Sequence, residues 1–408
     1  MTKLEKMLKY VSEHNEFYKN RIKEYGIKDP LDITQWPVLT RKELQENRYN
    51  MFSDGYKSKY FNQQLRRQSS SGSSGVPVNV YWDYKDWYAS NMSLWRKRLQ
   101  WYGIHPNDKY VMFTLNAFNV KNDDETIYYI KGPANILSVN VSLIQHDSGY
   151  DKLVDIINEF EPKWLYIQPF VLNKLIQAYK RTEQTPPKTL KYIESVGELL
   201  ASDLRRRAIA FFKVPLANMY GSEEMNGIAY ECPNHHMHIL EDNVFLEVMN
   251  ENKISDCGEG ETIITNLNNI AMPLIRYNQG DLVKTNMINS FQCNTKEIYN
   301  IMGRKIQELS IAGSSINAFA FSEAISMVNN QLDDVIINFQ FLYSKSRGQL
   351  LCKLVLDSAR KEWFSSVQTT VVNIFQNKFQ ILMNNNNIIQ STDFMTNSFK
   401  QETIVIEE

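Results

Sequence analysis

The chain of 408 residues is poor in cysteine, in net charge and in long apolar runs, and each shortage excludes something. Four cysteines cannot frame a fold of this size with disulfides, so a reducing cytoplasm is the expected setting. Lys and Arg number 45 against 46 Asp and Glu, a formal charge of -1, so no strongly basic face is implied. Nucleic acid is therefore not expected as the main partner. No apolar run approaches the length of a bilayer span, and Met1-Thr2-Lys3-Leu4-Glu5-Lys6 is charged, with no apolar signal core. No membrane association is expected. Internal repeats and long low-complexity segments are missing too. What is present is a hydrophobic fraction of 43% and an aromatic fraction of 12%, enough for a large core and two or three compact units.

Periodicity predicts the organisation. Leu4, Met7, Leu8, Val11 and Tyr18 recur at helical steps, predicting a helix over 4–25 with Gly26 as its cap. Thr40-Arg41-Lys42-Glu43 reads as a capping box, with Thr40 capping and Glu43 reaching back. A strand over 78–82 is followed by Asp83, which can cap an aromatic helix to about Tyr102. Strands at 110–114, 136–141, 164–167 and 192–196 alternate with helices at 151–160, 170–180 and 203–212, the pattern of a helix-covered parallel sheet. From Ile239 to Lys284 the strands shorten, and a β-rich subdomain is expected. Beyond Gly303 a helix near 318–329, strands at 335–343 and 349–357, and a helix at 361–378 predict a small α+β unit.

Four polar clusters interrupt this framework. The first, Ser69-Ser70-Ser71-Gly72-Ser73-Ser74-Gly75-Val76-Pro77, is a Ser/Gly loop that frees the backbone and offers hydroxyls. Such a loop serves either as a linker or as an anion-binding nest. The others are Tyr220-Gly221-Ser222-Glu223-Glu224, Arg276-Tyr277-Asn278-Gln279-Gly280-Asp281 and Gly303-Arg304. In open α/β sheets ligands sit at the carboxyl ends of strands, where Val196-Gly197-Glu198 and Tyr220-Gly221 would fall.

Together these clusters resemble the adenylate-forming enzymes, the acyl-CoA synthetases and adenylation domains. The Ser/Gly loop looks like their phosphate-binding loop, Tyr220 to Glu224 like their Tyr-Gly-x-Thr-Glu, Ile275 to Asp281 like their Arg-Tyr-x-x-Gly-Asp, and Gly303-Arg304 like their domain-junction Gly-Arg. The short branch containing phenylacetate–CoA ligases and capsular-biosynthesis-type proteins is the most similar. Its marks are Val196-Gly197-Glu198, Ile228 to Pro233, His238 to Asn243, and Pro37-Val38-Leu39-Thr40-Arg41. The resemblance runs from about residue 4 to 304. It implies an α/β fold: a large N-terminal domain over 1–302 of helix-covered, mostly parallel sheets with a β-rich subdomain over about 239–300, and a small mobile α+β lid over 303–408.

The resemblance also implies roles. Ser70, Ser71, Gly72, Ser73, Ser74 and Gly75 would wrap the β- and γ-phosphates of ATP, although Val76 stands where relatives often carry lysine. Glu224 matches the glutamate that holds Mg²⁺ and is a catalytic candidate; by itself it would read as a loop glutamate. Tyr220 would stack beside adenine, with Gly221 and Ser222 in the same segment, and Gly197 and Glu198 would line the adenine and substrate pocket. Asp281 would accept hydrogen bonds from both ribose hydroxyls, and Arg304 would reach ribose or phosphate. Arg276 reads either as a support for its loop or as a surface arginine.

Two departures bear on turnover. Ile306 stands where relatives carry a hinge aspartate. In the tail Thr396-Asn397-Ser398-Phe399-Lys400-Gln401, Ser398 falls at the catalytic-lysine position, and Lys400 is either its stand-in or a solvated lysine. Cys232, His238 and Cys293 invite a zinc reading, but one thiolate of the branch's Cys-x-Cys is missing.

The expected activity is ATP- and Mg²⁺-dependent conversion of a small carboxylic acid to its acyl-adenylate. Transfer to a thiol follows, with CoA or the phosphopantetheine of an acyl carrier protein as acceptor. Transfer to an amine or hydroxyl, and a degenerate nucleotide-binding member, are the alternatives. The acid pocket is expected near 113–118, 195–196 and 218–227.

Overall fold

The computed structural model describes residues 1–69, 78–114, 129–132, 135–141, 144, 147–290, 293–304, 309–311, 314–316, 318–332, 335–344, 346–379, 381, 383–391 and 404–407. The chain divides into two compact units, Met1–His105 with Met219–Ile301, and Pro106–Asn218 with Met302–Glu408.

The first unit opens on helices Lys3–His14 and Glu16–Tyr25 rather than one continuous helix. Asn15 makes the break. Its backbone is extended, its side-chain oxygen accepts from the Tyr18 N–H, and its amide donates to the Met51 carbonyl at 2.8 Å. An N-cap asparagine satisfies an orphan donor of the second helix, and burial of its amide fixes the corner. Gly26, at φ +63, closes that helix in the left-handed conformation expected of a glycine C-cap. The capping box at Thr40 and Glu43 forms at the start of Arg41–Glu46, and Asp83 caps Tyr84–Tyr102.

Against these helices lies antiparallel sheet, in the spatial order Lys253–Ser255, Val244–Asn250, Gly258–Asn266, Tyr277–Ser290, Cys293–Arg304, Met237–Ile239 and Asn226–Glu231. Strand Leu216–Ser222, whose last residues belong to this unit, pairs antiparallel with Asn226–Glu231. A separate hairpin pairs Arg66–Ser69 with Asn79–Trp82. The core joins Leu8, Val11, Tyr18 and Trp36 of the helical segment to Ile264 and Tyr277 of the sheet and to Leu274 of the loop between their strands.

The second unit holds the expected parallel sheet, ordered Tyr192–Val196, Trp164–Ile167, Tyr110–Thr114 and Ile136–Asn140. An antiparallel strand, Tyr129–Gly132, which periodicity did not indicate, borders Ile136–Asn140. Helices Asp147–Phe160, Pro169–Arg181 and Ser202–Phe212 contribute to the core over this sheet, packing Leu153, Val154, Leu172 and Leu175 with Val111, Val139, Leu165 and Ile193. The C-terminal part carries the sheet Ile388–Gln390, Gln349–Leu356, Ile336–Ser344 and Ile404–Glu407. Helices Ala318–Gln331 and Phe364–Phe379 pack Phe321 and Phe375 with Phe341 of that sheet. Helix Ala318–Gln331 also meets Ser202–Phe212: Asn329, fully buried, donates to Asp203 at 2.8 Å.

Candidate active site

The second and third polar clusters converge within the first unit, and the stem of the first is tied to them. The Ser/Gly loop, 70–77, lies outside the described residues, but the strands at both its ends are paired, Ser69 with Asn79 and Gln68 with Val80. Gln68, at the stem, donates its amide to Glu223 at 3.2 Å and to Asn226 at 3.1 Å. The stem of the first cluster is thereby tied to the second.

The second and third clusters share a hydrogen-bond network. Tyr220 donates its hydroxyl to Asp281 Oδ2 at 2.7 Å, and Gln279 Nε2 donates to the same oxygen at 2.6 Å. Gln279 also donates to the Tyr220 hydroxyl at 3.1 Å, and Ser222 donates to Gln279 Oε1 at 2.9 Å. Two donors on one carboxylate oxygen fix the Asp281 side chain, since charge-assisted hydrogen bonds are the strong ones. Tyr220 and Asp281 were expected to serve a nucleotide. Gln279 was not singled out, because a glutamine on a strand carries no local signal of a shared network.

The backbone that carries Asp281 is pinned from behind. Tyr18 donates its hydroxyl to the Pro273 carbonyl at 2.9 Å and accepts from the Ile275 N–H at 3.0 Å. Burial raises its phenol pKa well above the usual range. Arg276, buried and at φ +50, forms a two-pronged ion pair with Glu247 and donates to the Trp36 carbonyl at 2.9 Å. It is thus the support of its loop and not a surface arginine. A buried pair of this kind holds geometry more than it adds stability.

Glu224 is 3% exposed, and its carboxylate has the Arg41 guanidinium at 4.0 Å and the Tyr277 hydroxyl at 3.5 Å. Its turn is held by Asn243, fully buried, which donates to the Met225 carbonyl at 3.0 Å and to the Gly227 carbonyl. Gly221 is obligatory here: a Cβ would lie 2.4 Å from the Asn226 carbonyl oxygen across the hairpin. Arg41 escaped the sequence reading because its proximity to Glu224 is a contact across 183 residues.

The second unit presents the Gly197-Glu198 segment. Gly197 has φ +79, which favours glycine, and follows strand Tyr192–Val196 directly. Glu198 accepts from the Phe170 N–H at 3.1 Å, supplying the helix-start acceptor that Gln168, the N-cap of Pro169–Arg181, does not provide. The carboxylate expected to line a pocket therefore also serves a helix terminus.

The Cys/His segment is hydrogen-bonded within the first unit. His236 Nδ1 lies 2.8 Å from Glu297 and His238 Nδ1 lies 3.0 Å from the Thr295 hydroxyl. Burial, then Lys97 and His236, lower the His238 pKa. Among the described residues no group of three His, Cys, Asp or Glu is placed to hold a metal. Lys400, Ser398 and Ile306 lie outside the described residues, as do the side chains of Arg304 and Cys293. Among the described residues no helix is long and apolar enough to cross a membrane.

Residues 68–263, which run from the loop stem through Glu224, match the AMP-binding enzyme family. The matched segment is that of an AMP-binding enzyme, and the chain is similar to the adenylate-forming ligases. It is 23% identical over 354 residues to the phenylacetate–coenzyme A ligase of Escherichia coli (strain K12), covering 82% of this chain and 74% of that protein. To the phenylacetate–coenzyme A ligase of Thermus thermophilus it is 24% identical over 294 residues, 69% of this ligase and 63% of that one. Its fold is that of a 2-hydroxyisobutyryl-CoA ligase solved in the postadenylation state with R3-HIB-AMP, at a TM-score of 0.79 and 16% identity over 99% of this chain and 88% of that one. These relatives carry the name of the branch that the motifs of this chain resemble.

Proposed function

We propose that the ligase uses ATP to activate a carboxylic acid and hands the acyl group to a thiol. The observation that carries this reading is the network joining Tyr220, Gln279 and Asp281, with Glu224 anchored in the same unit. A carboxylate oxygen of the acid attacks the α-phosphorus, the bond to the β-phosphate bridge breaks, and pyrophosphate leaves. The thiol sulfur then attacks the acyl carbon, losing its proton, and AMP departs.

In this reading Asp281 accepts the ribose hydroxyls, its carboxylate already oriented by Tyr220 and Gln279. Glu224 would hold Mg²⁺, a hard cation satisfied by one carboxylate together with phosphate oxygens, and a buried ionisable carboxylate suits it. Bound there, the cation would offset negative charge as pyrophosphate forms. Arg41 keeps the carboxylate compensated beforehand. The hydroxyls and amides of 70–75 are proposed to wrap the terminal phosphates, Arg304 to reach ribose or phosphate, and Lys400 to serve as the cationic residue of the tail.

The relatives named for coenzyme A support CoA as acceptor, with a carrier-protein phosphopantetheine sharing the same thiol chemistry. The free thiols Cys232, Cys257 and Cys352 fit a cytoplasmic setting. A pyrophosphate-release screen over aryl, fatty and amino acids, run with hydroxylamine to trap the activated acyl group, tests the first step. CoA consumption with the best acid tests the second. No pyrophosphate from any acid, together with no calorimetric heat for Mg·ATP, refutes the proposal.

A further inference from the structure

The carboxyl ends of the parallel strands in the second unit carry two buried polar atoms that nothing satisfies among the described residues. Gln168 follows strand Trp164–Ile167, is 8% exposed, and donates its Nε2 to the Phe113 carbonyl at the end of the neighbouring strand, at 3.1 Å. That bond orients the amide and leaves Oε1 buried with no partner. Ser195 is fully buried in strand Tyr192–Val196, in register with Ile167, and its Oγ has no partner either. Gln168 also reaches the segment expected to line the substrate: a Cβ at Gly197 would lie 3.7 Å from its Cγ.

Buried polar atoms are nearly always hydrogen-bonded, so two left unmet at adjoining strand ends call for a ligand group. The chemistry of that group follows from the pair. A glutamine carbonyl only accepts, whereas a serine hydroxyl donates and accepts. A hydroxyl or amino substituent can donate to the carbonyl oxygen and can bond the hydroxyl; a hydrocarbon can do neither and would leave each desolvated and unpaired.

We propose that Gln168 and Ser195 select, within the adenylating activity argued above, a carboxylic acid bearing a hydroxyl or amino group over its plain hydrocarbon counterpart. Sites built to bond a polar substituent reject the analogue lacking it more sharply than apolar pockets reject an added methylene. The inference rests on the adenylation reading and refines it.

The test is pyrophosphate release with matched acids: butyrate against 2- and 3-hydroxybutyrate and 2-aminobutyrate, and phenylacetate against its 4-hydroxy and 4-amino forms. The wild-type ligase is expected to favour a substituted member in kcat/KM by about tenfold or more, the size of one satisfied hydrogen bond. Ser195→Ala removes a hydroxyl that holds nothing in the fold, so the protein should remain stable while the preference falls at least fivefold. Gln168→Leu should do the same, with KM for ATP unchanged. Preference for the unsubstituted acid in every pair overturns the proposal, and so does an unchanged ratio in Ser195→Ala. Equal losses on both members of each pair in Gln168→Leu would reduce Gln168 to a helix-end support, against the proposal. A raised KM for ATP with the acid ratio intact would assign the pair to adenine and also overturn it. Strong pyrophosphate release without any such preference leaves the adenylation reading standing and sinks this inference alone.

Discussion

Replacing Asp281 with alanine separates what that carboxylate does for the protein from what it does for the substrate. In the folded protein it accepts from Tyr220 at 2.7 Å and from Gln279 at 2.6 Å. Its removal leaves two donors without that acceptor. They retain one another, since Gln279 donates to Tyr220 at 3.1 Å, so the stability loss should stay near ~1–3 kcal/mol, the cost of one unmet buried group. The loss at the substrate should be larger. In the role proposed for Asp281, two hydrogen bonds from ribose hydroxyls to a charged acceptor would be worth ~1.5–3 kcal/mol each, so kcat/KM for ATP should fall by about 10²–10⁴. Tyr220→Phe is the control: it deletes one orienting bond but leaves Gln279 on the carboxylate, and a loss of about tenfold is expected. Thermal denaturation reads the first quantity and steady-state pyrophosphate release at varied ATP the second. A folded Asp281→Ala protein within threefold of wild type in kcat/KM for ATP would refute the reasoning.

Two further outcomes follow, one from backbone geometry and one from a buried carboxylate. Gly221→Ala places a Cβ where the Asn226 carbonyl already lies, at 2.4 Å, so it should cost about 1–3 kcal/mol of stability through backbone displacement and lower pyrophosphate release by moving Glu224; a variant with wild-type melting and turnover would contradict the hairpin. Asp86 is pushed up to about 6, chiefly by burial and then by neighbouring Asp83 despite the Ile270 N–H it accepts. Its folded pKa lies above the unfolded value, so the native state holds the extra proton: stability is greatest at low pH and declines as pH rises from about 4 through about 6. Asp86→Asn should flatten that part of the stability–pH curve and raise the melting temperature at pH 7, and chemical denaturation across pH 4–8 checks both.

Local chemistry fixed whatever depends on near neighbours in the chain. Thr40 with Glu43, Asp83 before its helix and Gly26 after one are readable because capping is an exchange between groups two to four residues apart. The alternation of apolar runs over 110–212 likewise announced helix-covered parallel strands. Asn15 shows the limit: its neighbours continue a helical stripe, and only the buried Met51 carbonyl, 36 residues away, decides that the chain turns there. Strand Tyr129–Gly132 acquires its identity from pairing with Ile136–Asn140 and has no pattern of its own.

The same division runs through the candidate site. The sequence by itself marked Tyr220, Glu224 and Asp281, because their clusters resemble, in kind and in order, the motifs of the adenylate-forming enzymes. Tertiary structure alone brought Gln68 to Glu223, Gln279 between Tyr220 and Asp281, Arg41 to Glu224 and Glu247 to Arg276. It alone buried Gln168 Oε1 and Ser195 Oγ with no partner among the described residues. Partners of this kind are chosen by burial: a charged or polar group withdrawn from water must find a counterpart wherever the packed chain delivers one, and sequence distance has no part in that choice.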